Sequence, residues 1–176
     1  MAQRLFLIFR TALYVTGFFL TLIWLLPSAL GIRLAQSTIG PFRQLGLVPL
    51  VVGAAIALWC VGNFVARGSG TPAPFDAPRK LVVNGPYCYV RNPMYIGCFL
   101  FLLGVALLFV EFSATLIWYG VGLVLAVNLL VFFYEEPTLR KRFGADYEQY
   151  CRAVSRWIPS PHPWHIDHTR AASTGS

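Results

Sequence analysis

The sequence predicts an all-α, polytopic transmembrane helical bundle of about four spans, and three observations lead there. Hydrophobic residues make up 57% of the chain and charged residues only 12%, against the ~25% charged content of soluble domains. Four stretches, Thr11–Leu30, Leu45–Ala66, Asn92–Val110 and Phe112–Tyr134, contain no Asp, Glu, Lys or Arg. Each approaches or exceeds the ~20 residues that a helix needs to cross a hydrocarbon core, and none carries the charged stripe of an amphipathic soluble helix. A segment in lipid must satisfy its own backbone, so helices are the expected elements.

The first span follows Arg4 and Arg10, an arrangement that a signal peptide shares. Its uncharged run exceeds the ~7–15 residues of a signal h-region, contains Pro27 and lacks a small-x-small cleavage site, so retention as a span is expected. A short loop, Gly31–Gln44, leads to span two. Gly53, Ala54, Ala55 and Ala57 allow another helix to approach closely there, within the bundle rather than in a self-dimer. The connection Arg67–Val90 holds Gly68-Ser69-Gly70, Pro72, Pro74 and Pro78, which preclude a continuous helix. Phe75, Tyr87 and Tyr89 make it too apolar for a plain linker, and it reads as a binding loop.

Spans three and four form a helical hairpin with its turn near Glu111-Phe112-Ser113, so the start of one meets the end of the other. Glu135–Arg142 continues the fourth helix. Gly144 can end it, and Asp146 can cap a short amphipathic helix with an apolar face of Tyr147, Tyr150 and Val154. The expected organisation is one membrane-embedded domain, residues 1–160, followed by a disordered polar tail, 161–176.

With four spans, every Lys and Arg except Arg33 and Arg43 falls on one side, together with both termini. That asymmetry places both termini in the cytoplasm. The net charge of +7 thus reads as topology and contact with anionic lipid head groups, and no nucleic-acid partner is needed to explain it. Cys60, Cys88, Cys98 and Cys151 form no C-x-x-C, and no disulfide is expected.

Two blocks carry candidate chemistry. In the first, Asn84-Gly85-Pro86 signals a turn, and Asn92-Pro93 suits a helix start: a capping side chain, then a residue with no N–H to waste. A helix N-terminus beside the Arg91 guanidinium can receive a carboxylate or phosphate. The plainer reading is a capped helix with an interfacial arginine and an aromatic belt of Tyr87, Tyr89 and Tyr95. The second block, Tyr134-Glu135-Glu136-Pro137, puts two carboxylates at a membrane boundary, where an unpaired one is expensive. Neighbouring helical residues lie ~100° apart, so one Glu can face Arg91 while the other meets solvent or a ligand. The plainer reading is an i,i+4 pair between Glu136 and Arg140. The hairpin brings the two blocks together. His162, His165 and His168 are spaced like metal ligands, but Pro161 and Pro163 interrupt any helix and no second ligand cluster exists, so no metal is expected.

These motifs, Gly85-Pro86-Tyr87, Arg91-Asn92-Pro93-Met94-Tyr95-Ile96-Gly97 and Glu135-Glu136-Pro137 with Phe143-Gly144, Tyr147, Tyr150, Val154 and Pro159 behind it, resemble the isoprenylcysteine carboxyl methyltransferases and phospholipid methyltransferases. The resemblance implies a membrane enzyme that methylates a lipophilic acceptor, an isoprenylcysteine carboxylate, a phospholipid amine or a small hydrophobic thiol or acid, reached from the bilayer. It implies an S-adenosylmethionine pocket on the cytoplasmic side, formed by Gly85, Tyr87, Arg91, Asn92, Pro93, Tyr95, Glu135, Glu136 and Tyr147. Arg91, Glu135 and Arg156 are the expected catalytic residues. Asn92 departs from the family's more frequent histidine; it can hydrogen-bond but cannot serve as a general base. Two other classes fit the composition: a non-enzymatic membrane subunit or small transporter, and a reductase on a related scaffold. A transporter usually places polar groups mid-membrane, where span four offers Asn128 and little else.

Overall fold

In the computed structural model, residues 9, 13, 16, 17, 19–32, 44–67, 81–110 and 114–164 are described. Every regular element among them is helical. A π-helical turn, Thr21–Leu25, leads into α1 (Leu26–Ala29), with Pro27 in its first turn. α2 spans Leu47–Arg67, a 3-10 turn Gly85–Cys88 follows, and α3 spans Pro93–Phe109. α4 (Ala114–Leu130) passes through a second π-helical turn, Val131–Glu135, into α5 (Glu136–Ala153). Much of the expected first span, the Phe75 loop, the hairpin turn at 111–113, His165 and His168 lie outside the described residues.

α2 and α3 run antiparallel and touch backbone to backbone, because glycines line both sides of the seam. A Cβ on Gly53 would lie 2.3 Å from the Phe101 nitrogen, and one on Gly104 would lie 2.5 Å from the Leu50 nitrogen. The small residues of span two thus serve packing within the bundle. α4 is not packed against α3 in the same way. The hairpin meets at the Tyr95 and Glu135 end and leaves a groove along the rest of its length.

The helix Ala114–Ala153, kinked near its end, is the described one long and apolar enough to cross a membrane, with mean hydropathy 2.3 over its most apolar 18 residues. Leu47–Asn63 and Pro93–Phe109 are apolar but shorter. Trp118, Leu58 and Phe133 are each at least 70% exposed, a surface that water would penalise and lipid would not.

Beyond the π turn the chain becomes polar, and α5 kinks at Gly144, whose φ of +53° is left-handed. Its apolar face lies on the loop before α3, where Val83, Cys88, Tyr147, Tyr150 and Val154 form a buried cluster. Trp164 packs against this cluster, so the described chain continues in contact with the fold into the segment expected to be a disordered tail.

Gly53→Ala should cost about 1–3 kcal/mol, the usual range for overpacking. Gly122→Ala, whose Cβ meets nothing within 4 Å, should not destabilise. Denaturation midpoints in detergent check both, and equal midpoints would contradict the glycine seam.

Candidate functional site

The site forms where the loop before α3, the π turn and the segment after α5 converge. The Arg91 N–H donates to the Ser155 carbonyl (2.9 Å), the Ser160 N–H to Tyr89 (2.8 Å) and the Trp164 N–H to Cys88 (3.0 Å). These bonds lay residues 155–164 along residues 88–91 as a strap. The Tyr150 hydroxyl, donating to the Tyr87 carbonyl at 2.7 Å, fixes α5 to the same loop. Gly85 opens the loop with φ +59°, a backbone conformation that favours glycine, and packs against the Asn63 side chain of α2.

Asn92 precedes α3, and its carbonyl accepts from the Ile96 N–H at 3.3 Å. Pro93 occupies the first turn as expected, but the Asn92 side chain caps nothing. Its amide instead donates to the Arg156 carbonyl at 3.2 Å, which ties the helix start to the strap.

At the centre lies the Glu136 carboxylate, 5% exposed. Arg156 binds it in a fork, Nε to Oε1 and the second amino nitrogen to Oε2, both at 2.7 Å. Arg91 approaches Oε1 from the other side at 3.1 Å. The i,i+4 pair with Arg140 is not made: Glu136 turns inward to these two guanidiniums while Arg140 lies exposed. A neighbouring carboxylate holds Arg156 above the ordinary guanidinium range, chiefly through those hydrogen bonds. Arg91 also touches Cys151 Sγ, and its Nε is a buried donor with no partner among the described residues.

Glu135 points elsewhere. It accepts from the Tyr95 hydroxyl at 2.5 Å. Burial pushes its carboxyl above the ordinary range; the Tyr95 hydrogen bond opposes that shift, and Glu136 adds to it. The Tyr95 ring meets Trp157 edge-on at 6.5 Å, and Trp157 Nε1 donates to Asn128 Oδ1 at 3.0 Å. Tyr147 is buried and Tyr87 half-buried, and loss of solvation is the main reason both phenols are pushed up. Tyr87 reaches Cys60 of α2, and Tyr147 stands beside Arg91, Glu136 and Cys151.

The structure thus brings Gly85, Tyr87, Arg91, Asn92, Pro93, Tyr95, Glu135, Glu136, Tyr147 and Arg156 to one end of the bundle. It adds Trp157, Asn128 and Cys151, which sequence reasoning did not assign to the site. The signal for Asn128 was there, since an isolated amide in an apolar span needs a partner. Among the described residues, no group of three His, Cys, Asp or Glu could hold a metal. These groups suit a zwitterionic organic ligand: a carboxylate acceptor of raised pKa, a guanidinium N–H with no partner among the described residues, and aromatic rings beside them.

Residues 42–146 match the phospholipid methyltransferase family model, a segment that contains both Arg91 and the Glu135-Glu136 pair. The chain belongs to the phospholipid methyltransferase family. Over 121 residues it is also 38% identical to the protein-S-isoprenylcysteine O-methyltransferase of Schizosaccharomyces pombe, covering 60% of this chain and 48% of that protein. It therefore spans about half the length of this curated relative. No solved structure matches. These likenesses bear out the resemblance carried by the Gly85–Pro159 motifs.

Glu136→Gln leaves two guanidiniums around a neutral amide. Breaking a buried pair costs about 3–5 kcal/mol, and the partial exposure of Arg156 should bring the loss toward the lower end. The strap should loosen first, with new protease cleavage at 154–164 and altered Trp157 fluorescence. Unchanged cleavage would show that Glu136 does not hold it.

Proposed function

We propose that this chain is an integral-membrane methyltransferase that transfers a methyl group from S-adenosylmethionine to a lipophilic acceptor. Its relative's name puts an isoprenylcysteine carboxylate first among acceptors. A phospholipid amine and a small hydrophobic thiol or acid are the other candidates. The observation that carries the reading is that the family match spans two sequence blocks which the fold joins around Glu136. Four spans with both termini cytoplasmic are the topology that the four uncharged stretches and the Lys/Arg asymmetry favour. The site end of the bundle then faces the cytoplasm, where the cofactor is available.

When bound, S-adenosylmethionine supplies an electrophilic methyl group on a sulfonium centre. The residues present fit it. The Arg91 Nε, without a partner among the described residues, suits its carboxylate, and Glu135 suits its amino group or ribose hydroxyls. Tyr87, Tyr95 and Tyr147 would wall the pocket, while Gly85, Asn92 and Pro93 set the loop and the helix start. Glu136 acts by positioning Arg91 and Arg156. Arg156 is 30% exposed and stacked over lipid-facing Phe132 at 5.5 Å, a place suited to an anionic group arriving from the membrane. Methyl transfer is an in-line displacement, so these residues contribute alignment and exclusion of water rather than a strong base. The lack of a histidine at position 92 is compatible with that. Asn128, the polar group that a transporter would need mid-span, is bonded to Trp157.

Calorimetry with S-adenosylhomocysteine should show saturable binding, weakened roughly ten- to a hundredfold in Glu135→Gln through loss of a charge-assisted hydrogen bond. Because burial raises the Glu135 carboxyl, its ionised form disappears on acidification at a higher pH than that of an ordinary carboxylate, ~4.3. Wild-type affinity should therefore fall as pH drops through that raised value, and the Gln variant should lack this step. No binding by folded wild type, in detergent and in lipid, would overturn the reading.

A further inference from the structure

The cations near the site end of the bundle are not equivalent. Arg91 and Arg156 are spent on Glu136, and Arg152 lies in the last turn of α5, beyond the kink at Gly144. Arg140, Lys141 and Arg142 differ from these. They follow one another in the first half of α5, all three are exposed, and none has an acidic partner among the described residues. We infer that this turn is a binding surface for the head groups of anionic phospholipids, built where the helix leaves the bilayer. The inference rests on the membrane span and is independent of the methyltransferase reading.

Position supports that partner. Phe133, 70% exposed, stands at the end of the apolar helix. Arg140 and Lys141 come about two helical turns later, ~11 Å further along the axis, and return to the same side. Apolar surface reaches the strap as well, where Ile158 is 76% exposed and Arg156 lies over Phe132. The hydrocarbon boundary thus falls near the π turn, with the cations just outside it. The head-group layer is ~5–7 Å deep on each side of the core, and long cationic side chains can reach back toward it.

Charge supports it too. From Pro137 to Ala145 the chain holds these cations and no carboxylate. Glu136, at the right spacing for Arg140, is turned inward. Asp146 and Glu148 come only after Gly144, where the left-handed φ bends the helix. Thr138 spends its hydroxyl on the Tyr134 carbonyl at 2.6 Å, so the cations are the donors this turn offers outward. Adjacent cations repel one another, and a surface of phosphodiester charge relieves that repulsion, each cation near it being worth roughly fivefold in affinity. Guanidinium forks also fit phosphate oxygens. In a zwitterionic lipid the phosphate is offset by an ammonium, so the turn should prefer a head group of net negative charge.

The test uses the full chain in phosphatidylcholine nanodiscs containing a minor fraction of phosphatidylglycerol that carries a diazirine beside its glycerol backbone. Irradiation should label residues 133–142, and a phosphatidylcholine with the same diazirine should label them weakly. Replacing the three cations together, Arg140→Gln with Lys141→Gln and Arg142→Gln, should lower phosphatidylglycerol labelling roughly tenfold or more. Arg152→Gln, beyond the kink, should keep it. Raising salt from ~0.1 to ~1 M shortens the screening length from ~10 to ~3 Å and should weaken labelling of wild type but not of the triple variant. Inorganic phosphate at matched ionic strength should not displace the lipid; displacement would assign the turn to a free anion and overturn the proposal. Equal labelling by the two lipids, labelling confined to other residues, or the same loss in Arg152→Gln would also overturn it. Should the triple variant fail to fold, Lys141→Gln alone should lower the labelling roughly fivefold, and no loss there would sink the proposal.

Discussion

The arrangement of the site depends on the Glu136 carboxylate. A charge that is 5% exposed, at the edge of an apolar helix, cannot stand alone. It is neutralised by two guanidiniums that flank it in sequence, Arg91 before α3 and Arg156 after α5. Such a cluster is an inefficient source of net stability, because desolvation consumes most of the Coulombic gain. What it enforces is arrangement, since displacing either arm leaves a buried charge with incomplete compensation. The strap of residues 155–164 must therefore lie on the loop at 88–91, and the Asn92 and Trp157 hydrogen bonds then have a fixed frame in which to form.

The second π-helical turn decides which glutamate does this work. The Glu136 N–H donates to the Val131 carbonyl, five residues back rather than four. The extra residue rotates everything after it relative to α4, so Glu136 meets the arginines and Glu135 meets Tyr95. A π-bulge inside an α-helix is commonly a functional feature rather than a defect. In this chain it lets two adjacent carboxylates serve two separate sets of partners.

Much of this was legible in the sequence. Among the described residues, uncharged runs coincide with the apolar helices, Gly53 marks a close approach, and the two motif blocks meet with Arg91 at Glu136 and Tyr95 at Glu135. Gly144 marks the kink in α5. Less legible was anything that depends on long-range placement of one side chain. Asn92 beside Pro93 reads as a cap by local rules, yet its amide is used by a carbonyl 64 residues away. Glu136 and Arg140 have ideal helical spacing, but burial makes the distant Arg91 and Arg156 the better partners. The separate assignments of Glu135 and Glu136 turn on a π turn that hydrophobic periodicity does not reveal. Trp164 looked like part of a polar tail because its partner, the Tyr150 ring at 5.7 Å, lies on another element.

These constraints also explain why α4 can stand away from α3 along most of its length. In lipid, helices are not driven together by hydrophobic burial, so close pairing requires small residues or polar contacts. α3 spends its glycines on α2, which makes those two helices one rigid unit. α4 is then joined to that unit at the site end by Tyr95 with Glu135, and through Trp157, which bridges to Asn128. Tyr119 joins it to the N-terminal segment at Leu22. These junctions are hydrogen bonds, with one ring contact between Tyr95 and Trp157. The space between them needs no protein side chain to fill it, because the surrounding medium is itself hydrocarbon. Directed polar contacts thus fix α4 at its two ends where close helix packing does not.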